Sequence, residues 1–191
     1  MHDHENCMDE DCEFDGMGHM YDVKVGHKVP NFTLEAYEKG DFKNISLYDA
    51  KGKWKLLFFY PLDFTFVCPT EILELSKRHK EFEALNTQVM TISIDSVHSH
   101  KAWSKEIGDL NFPMLSDLGK EVSLMYNVLH DDGMSLRATF LISPDNVLEA
   151  AVIHNLNVGR NIDEHLRVLE AFQTGELCGI GWKKGDKTLG K

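Results

Sequence analysis

The feature that most limits how this chain can fold is the run Trp54-Lys55-Leu56-Leu57-Phe58-Phe59-Tyr60, ended by Pro61. A nearly continuous apolar stretch of this length is a strand buried on both faces, so the sheet that holds it needs cover above and below. Helices supply that cover in α/β proteins. Pro61 has no N–H for a ladder, so the strand stops there. Helix signals follow at once. Pro69 suits a first helical position, Glu71 puts negative charge in the first turn, and Ile72, Leu75, Phe82 and Leu85 share one stripe. They predict one helix through Leu85.

The remaining pattern agrees with that frame. Residues 32–37 and 42–47 read as a hairpin around Lys39-Gly40-Asp41, and residues 88–94 as a strand rich in β-branched residues. Residues 99–107 and 120–126 read as helices. Residues 138–143 and 147–154 read as two strands joined at Ser143-Pro144-Asp145-Asn146. Ile162, Leu166, Leu169 and Phe172 mark a last helix over 162–174, stopped by Gly175. The expected class is α/β, with a central mixed β-sheet flanked by helices, an N-terminal hairpin and a C-terminal tail. That layout is compatible with a thioredoxin-like fold. The domain reading is a 1–20 extension, one domain over 21–174, and a glycine-rich mobile tail over 175–191.

Charge narrows the partners. Lys plus Arg is 20 against 31 Asp plus Glu, a net −11, which argues against nucleic acid or an anionic membrane. No apolar run approaches membrane-spanning length. Seven acidic residues and no Lys or Arg lie in the first twenty, which read as a disordered arm. This arm has neither the basic start nor the apolar middle of a secretory signal, so the expected location is cytoplasmic. Cys7, Cys12, Cys68 and Cys178 are too few and scattered for a stapled secreted scaffold, leaving catalysis, metal binding or burial as their uses. His2, His4, Cys7, Cys12 and His19 could bind a soft metal, but their spacing matches no zinc framework. His98 and His100, two apart, would not share a helix face.

Cys68 sits between the apolar strand and the helix start, where unsatisfied N–H groups favour a thiolate. The other reading is an ordinary buried cysteine, and position alone leaves the two in balance. Thr65, three residues earlier, either satisfies a local backbone group or places its hydroxyl in a pocket with the sulfur.

The segment Pro61-Leu62-Asp63-Phe64-Thr65-Phe66-Val67-Cys68-Pro69-Thr70-Glu71-Ile72 resembles the active-site signature of the typical two-cysteine peroxiredoxins, with its core Pro-x-x-x-Thr-x-x-Cys intact. The segments at 135–140, 158–164 and 178–183 resemble the same family, so the likeness covers the chain from about Tyr21 to its end. It implies a thioredoxin-like fold and a thiol-dependent peroxidase acting on hydrogen peroxide and organic hydroperoxides.

By the same resemblance, Cys68 matches the peroxidatic cysteine and Cys178 the resolving cysteine of a partner subunit. Thr65 matches the peroxide-positioning hydroxyl and Pro61 the ring that shields the pocket. Arg137 matches the guanidinium beside the sulfur, with Glu71 and Arg160 as the network that holds it. The resemblance implies no cofactor and no metal, a homodimer with a decamer as the larger form, and a thioredoxin-like or flavoprotein disulfide reductase as electron donor. A CxxC disulfide oxidoreductase would need a cysteine where Glu71 stands. An oligomeric holdase chaperone and a metal-binding N-terminal arm are the alternative readings.

Overall fold

The computed structural model describes residues 23–108 and 110–191. The expectations for the arm over 1–20, including those for Cys7 and Cys12, lie outside the described residues. Seven strands form one mixed sheet: β1 (Thr33–Glu38), β2 (Asp41–Ser46), β3 (Trp54–Phe59), β4 (Thr87–Ser93), β5 (Met114–Ser116), β6 (Arg137–Ile142) and β7 (Leu148–His154). Their order across the sheet is β2-β1-β5-β4-β3-β6-β7. β4 runs parallel to both β3 and β5, whereas β6 lies antiparallel to β3 and β7 antiparallel to β6. Among the described residues five α-helices complete the fold, α1 (Cys68–Lys77), α2 (His79–Ala84), α3 (Val97–Ile107), α4 (Glu121–Met125) and α5 (Ile162–Gln173), with one 3-10 turn at Leu47–Asp49. Among the described residues no helix is long and apolar enough to cross a membrane.

The apolar run behaves as its two-sided burial demands. Leu57 and Phe59 join one buried cluster, with Val122 and Tyr126 from the α4 side and Val29 and Phe32 from the N-terminal approach. Leu56, Phe58 and Tyr60 point the other way, into a cluster with Ile72 and Leu75 of α1, Phe82 of α2, Trp103 of α3 and Leu166 and Leu169 of α5. Alternation of side chains along a strand puts consecutive residues on opposite faces, so this central strand serves both layers. The sheet is mixed, the hairpins are β1–β2 and β6–β7, and the class is the α/β class expected.

Two details depart from the sequence pattern. The predicted helix through Leu85 is two helices, because Arg78 leaves helical geometry at φ −92, ψ 2. Arg78 there pairs with Glu81 and, at 2.6 Å, with Asp163 at the start of α5. β5 had no counterpart in the sequence reading. Its three residues are too short to show alternation, and they are held by β4 on one side and β1 on the other. The segment over 175–191 contains no helix or strand, yet it folds back on itself. Leu177 and Leu189 bracket it with backbone bonds of 2.8 Å, Trp182 is buried, and Arg167 donates to the Trp182 carbonyl at 3.0 Å.

Candidate active site

β3 delivers the site by ending. The Tyr60 N–H still bonds to Ile92 of β4 at 2.9 Å, and Pro61 then takes the chain off the sheet. The loop over 61–67 carries it to α1, whose first residue is Cys68, fully buried. Pro61 is buried and Thr65 half-buried in this loop. The Thr65 hydroxyl donates to the Leu62 carbonyl at 3.1 Å.

β6 brings the first arginine. Phe59 pairs with Ala138, so Arg137, one position earlier on the antiparallel strand, lies level with the end of β3. Its Nη1 donates to Cys68 Sγ at 3.4 Å and to Glu71 Oε2 at 2.8 Å, while its Nε donates to the Leu156 carbonyl at 2.8 Å. Arg160, in the connection from β7 to α5, supplies the second guanidinium. Its Nε and Nη2 grip Glu71 at 2.9 and 3.0 Å, and its backbone N–H adds a third bond to Glu71 at 2.7 Å. The guanidinium carbon lies 3.3 Å from the centroid of the Phe58 ring, a cation–π contact.

All four groups are buried, so their charges count. Two guanidiniums face one carboxylate, and the cluster is short of one negative charge. An uncompensated buried charge costs several kcal/mol, on the order of the penalty for breaking a buried pair. The Cys68 sulfur lies against the less compensated guanidinium, where a thiolate restores neutrality. Burial pushes the Glu71 carboxyl up, but hydrogen bonds and charge from Arg160, with Arg137 adding, hold it below the usual carboxylate range.

An outer layer was not visible in the sequence. Arg160 Nη1 donates to the Ala138 carbonyl at 2.7 Å and to the Thr139 hydroxyl at 3.1 Å; that hydroxyl lies 3.2 Å from His165 Nε2. The Thr139 hydroxyl thereby links Arg160 to His165. Burial, with the Arg160 charge adding, pulls His165 down to about 4. The unfolded histidine takes up its proton near pH 6.5 and the folded one only near 4, so falling pH favours unfolding across that window. Between pH 7 and 5 this contributes a loss of roughly 2 kcal/mol. In urea titrations His165→Gln is therefore expected to lose less stability than wild type over that interval. Equal losses would contradict this role.

The structure brings Cys68, Glu71, Arg137 and Arg160 together, with Thr65 and Pro61 in the loop beside them. It does not bring Cys178 to them. Cys178 is half-buried at the end of α5, with its sulfur 3.5 Å from the Thr174 hydroxyl and 3.7 Å from the Ala171 carbonyl; both it and Cys68 are free thiols. His98 packs against Phe42, whereas His100 is buried against Asp63, so the two histidines point to different tasks. Among the described residues no group of three or more His, Cys, Asp or Glu could hold a metal ion.

Residues 25–151 match the profile of the AhpC/TSA family. A chloroplastic 2-Cys peroxiredoxin BAS1 of Spinacia oleracea is 49% identical over 177 residues, spanning 86% of this chain and 67% of the spinach protein. A putative peroxiredoxin in the rubredoxin operon of Clostridium pasteurianum is 47% identical over 175 residues, spanning 86% of this chain and 98% of its own. Among solved structures, the reduced 2-Cys peroxiredoxin of Plasmodium vivax superposes with a TM-score of 0.84 at 40% identity, covering 86% of this chain and 91% of that one. AhpC of Mycobacterium tuberculosis gives 0.77 at 40% identity, covering 84% and 99%.

Proposed function

This chain belongs to the AhpC/TSA family, and from that membership we infer that it is a thiol-dependent peroxidase of the two-cysteine type, reducing hydrogen peroxide and organic hydroperoxides. The observation that carries the reading is the charge count at Cys68: a buried cluster lacks one negative charge, and the sulfur accepts from Arg137.

The Cys68 thiolate attacks the hydroxyl oxygen of the peroxide. An S–O bond forms as the O–O bond breaks, and the electron pair leaves on the second oxygen. Arg137 stabilises that oxygen until a proton converts it to water or alcohol. The Thr65 hydroxyl has its hydrogen committed to the Leu62 carbonyl and offers only lone pairs, so it accepts from the peroxide O–H. Pro61, buried where the loop leaves β3, keeps water from the sulfur. Glu71 and Arg160 fix the direction of Arg137.

Cys68 is then a sulfenic acid. Cys178 of a second chain displaces its hydroxyl, which leaves as water with the Cys178 proton, and a disulfide forms. A thioredoxin-like or flavoprotein reductase returns two electrons. Cys178 bonds to the end of α5 in its own chain, so this step needs both the tail and the first turn of α1 to open. An antiparallel dimer fits the edge position of β7, which exposes Ile153. Five such dimers closing into a ring, working in the cytosol, complete the proposal.

Wild type is expected to consume hydrogen peroxide steadily at the expense of a thioredoxin-type dithiol. Cys178→Ser is expected to consume one equivalent per chain and stop. Sustained dithiol turnover by Cys178→Ser would remove its resolving role, and no consumption by wild type would remove the function.

A further inference from the structure

The peptide group between Leu62 and Asp63 is gripped at both ends. Its carbonyl accepts the Thr65 hydroxyl at 3.1 Å, and its N–H donates to Asp95 Oδ2 at 2.9 Å. Asp95 is itself fixed just beyond β4. Ser93 Oγ donates to the same Oδ2 at 2.7 Å, and the Asp95 N–H returns a bond to Ser93 Oγ at 3.2 Å.

The Asp63 side chain has its own anchors. Oδ1 accepts the Tyr60 hydroxyl at 2.8 Å, and Oδ2 accepts the Ser99 hydroxyl at 2.8 Å and faces His100 Nδ1 at 2.9 Å. His100 Nε2 faces the Leu115 carbonyl at 3.2 Å, which only accepts, so Nε2 carries hydrogen. Tyr60, Asp63 and His100 are all buried, so water does not compete for these bonds. Phe64, the next residue, has φ 54, a left-handed conformation that a side-chain-bearing residue keeps only where its surroundings impose it.

We propose that Asp95 is a positioning residue for peroxide reduction: through the Leu62–Asp63 peptide it sets the direction of the Thr65 hydroxyl, with the Asp63–His100 pair holding the same residue by its side chain. This rests on the reading that Thr65 accepts from the peroxide. With the peptide plane locked, the Leu62 carbonyl keeps the Thr65 hydrogen turned away from the substrate, and the lone pairs face the pocket. With the plane loose, the hydroxyl rotates, and its hydrogen points at the thiolate as readily as at the carbonyl. Misplacement of a positioning group by about 1 Å can cost on the order of a hundredfold in rate. The nucleophile itself is untouched, because its cation comes from β6.

The test follows two reactions of the reduced full-length protein. One is the second-order reaction with hydrogen peroxide, and the other is alkylation of Cys68 by iodoacetamide, read by peptide mass. Asp95→Ala is expected to slow the peroxide reaction about ten- to a hundredfold and leave alkylation unchanged. Asp95→Asn keeps an acceptor oxygen and should recover most of that loss. In a Thr65→Val background, Asp95→Ala should add little, because the two residues act through one group. Should Asp95→Ala not fold, Ser93→Ala loosens the same carboxylate and is expected to show the same split at smaller size. Additive losses, or alkylation slowed as much as peroxide reduction, would overturn the proposal. A Thr65→Val variant with the wild-type peroxide rate would instead remove the reading of Thr65 on which it rests.

Discussion

Replacing Arg137 with methionine is expected to slow the reaction of Cys68 with hydrogen peroxide by roughly two to three orders of magnitude, the scale of losing a preorganised donor at a developing charge. Arg137 is nearly inaccessible, and one of its nitrogens serves both Cys68 and Glu71. Methionine fills much of the volume but removes the charge. Glu71 and Arg160 then balance each other, so the site no longer lacks a negative charge. The thiolate loses its hydrogen bond and its electrostatic reason to form, and the departing oxygen loses its partner. Alkylation by iodoacetamide should slow as well, because the thiolate is the nucleophile there too. That separates Arg137 from Asp95, whose loss is expected to spare alkylation. Lysine at 137 should restore only part of the rate, since one ammonium does not reproduce the fork that reaches Leu156, Glu71 and the sulfur. Stopped-flow kinetics of the reduced protein decide the matter, and a wild-type rate in Arg137→Met would contradict the electrostatic account.

Glu71→Gln should have the largest effect on stability. Glu71 takes three bonds from Arg160 and one from Arg137. The amide keeps the shape but leaves two guanidiniums facing each other in the interior. Removing one partner of a buried pair costs about 3–5 kcal/mol. For a domain of this length that corresponds to a melting temperature lower by roughly 10 °C. The sign of the pH dependence follows from the depressed Glu71 carboxyl. Its folded pKa lies below its unfolded value, so the stabilisation is present above the unfolded pKa and fades as pH falls through the folded one. The gap in melting temperature between wild type and Glu71→Gln should therefore be widest near neutrality and narrow in acid. A gap that widens in acid would contradict the charge assignment.

The parts of this molecule legible in the sequence were those with local signatures. The run ending at Tyr60 announced a two-sided strand, and its residues do divide between the two buried clusters. Pro69 and Glu71 marked the start of α1, because capping chemistry is written within one turn. Arg137 and Arg160 came from resemblance alone: nothing near either in sequence says that β6 and the α5 approach converge on Cys68. The groups missed are those whose partners are remote. His100 meets Asp63 across 37 positions, and His165 meets Thr139 across 26. Tyr60 and Asp63 did carry a faint signal, two polar groups three apart in an otherwise apolar stretch. β5 was hidden for a different reason, since three residues are too few to show a period. The break at Arg78 was hidden too, because the apolar stripe continues across it from Leu75 to Phe82.

The most direct measurement mixes reduced Cys178→Ser protein with one equivalent of hydrogen peroxide, traps sulfenic acid with dimedone, and maps the adduct by peptide mass. Cys68→Ser is followed in parallel for peroxide consumption. The predicted result is an adduct on Cys68, and a Cys68→Ser protein that leaves the peroxide unreacted on the same timescale. An adduct confined to Cys7 or Cys12, or a Cys68→Ser protein that consumes peroxide at the wild-type rate, would contradict the assignment of Cys68 as the attacking thiolate.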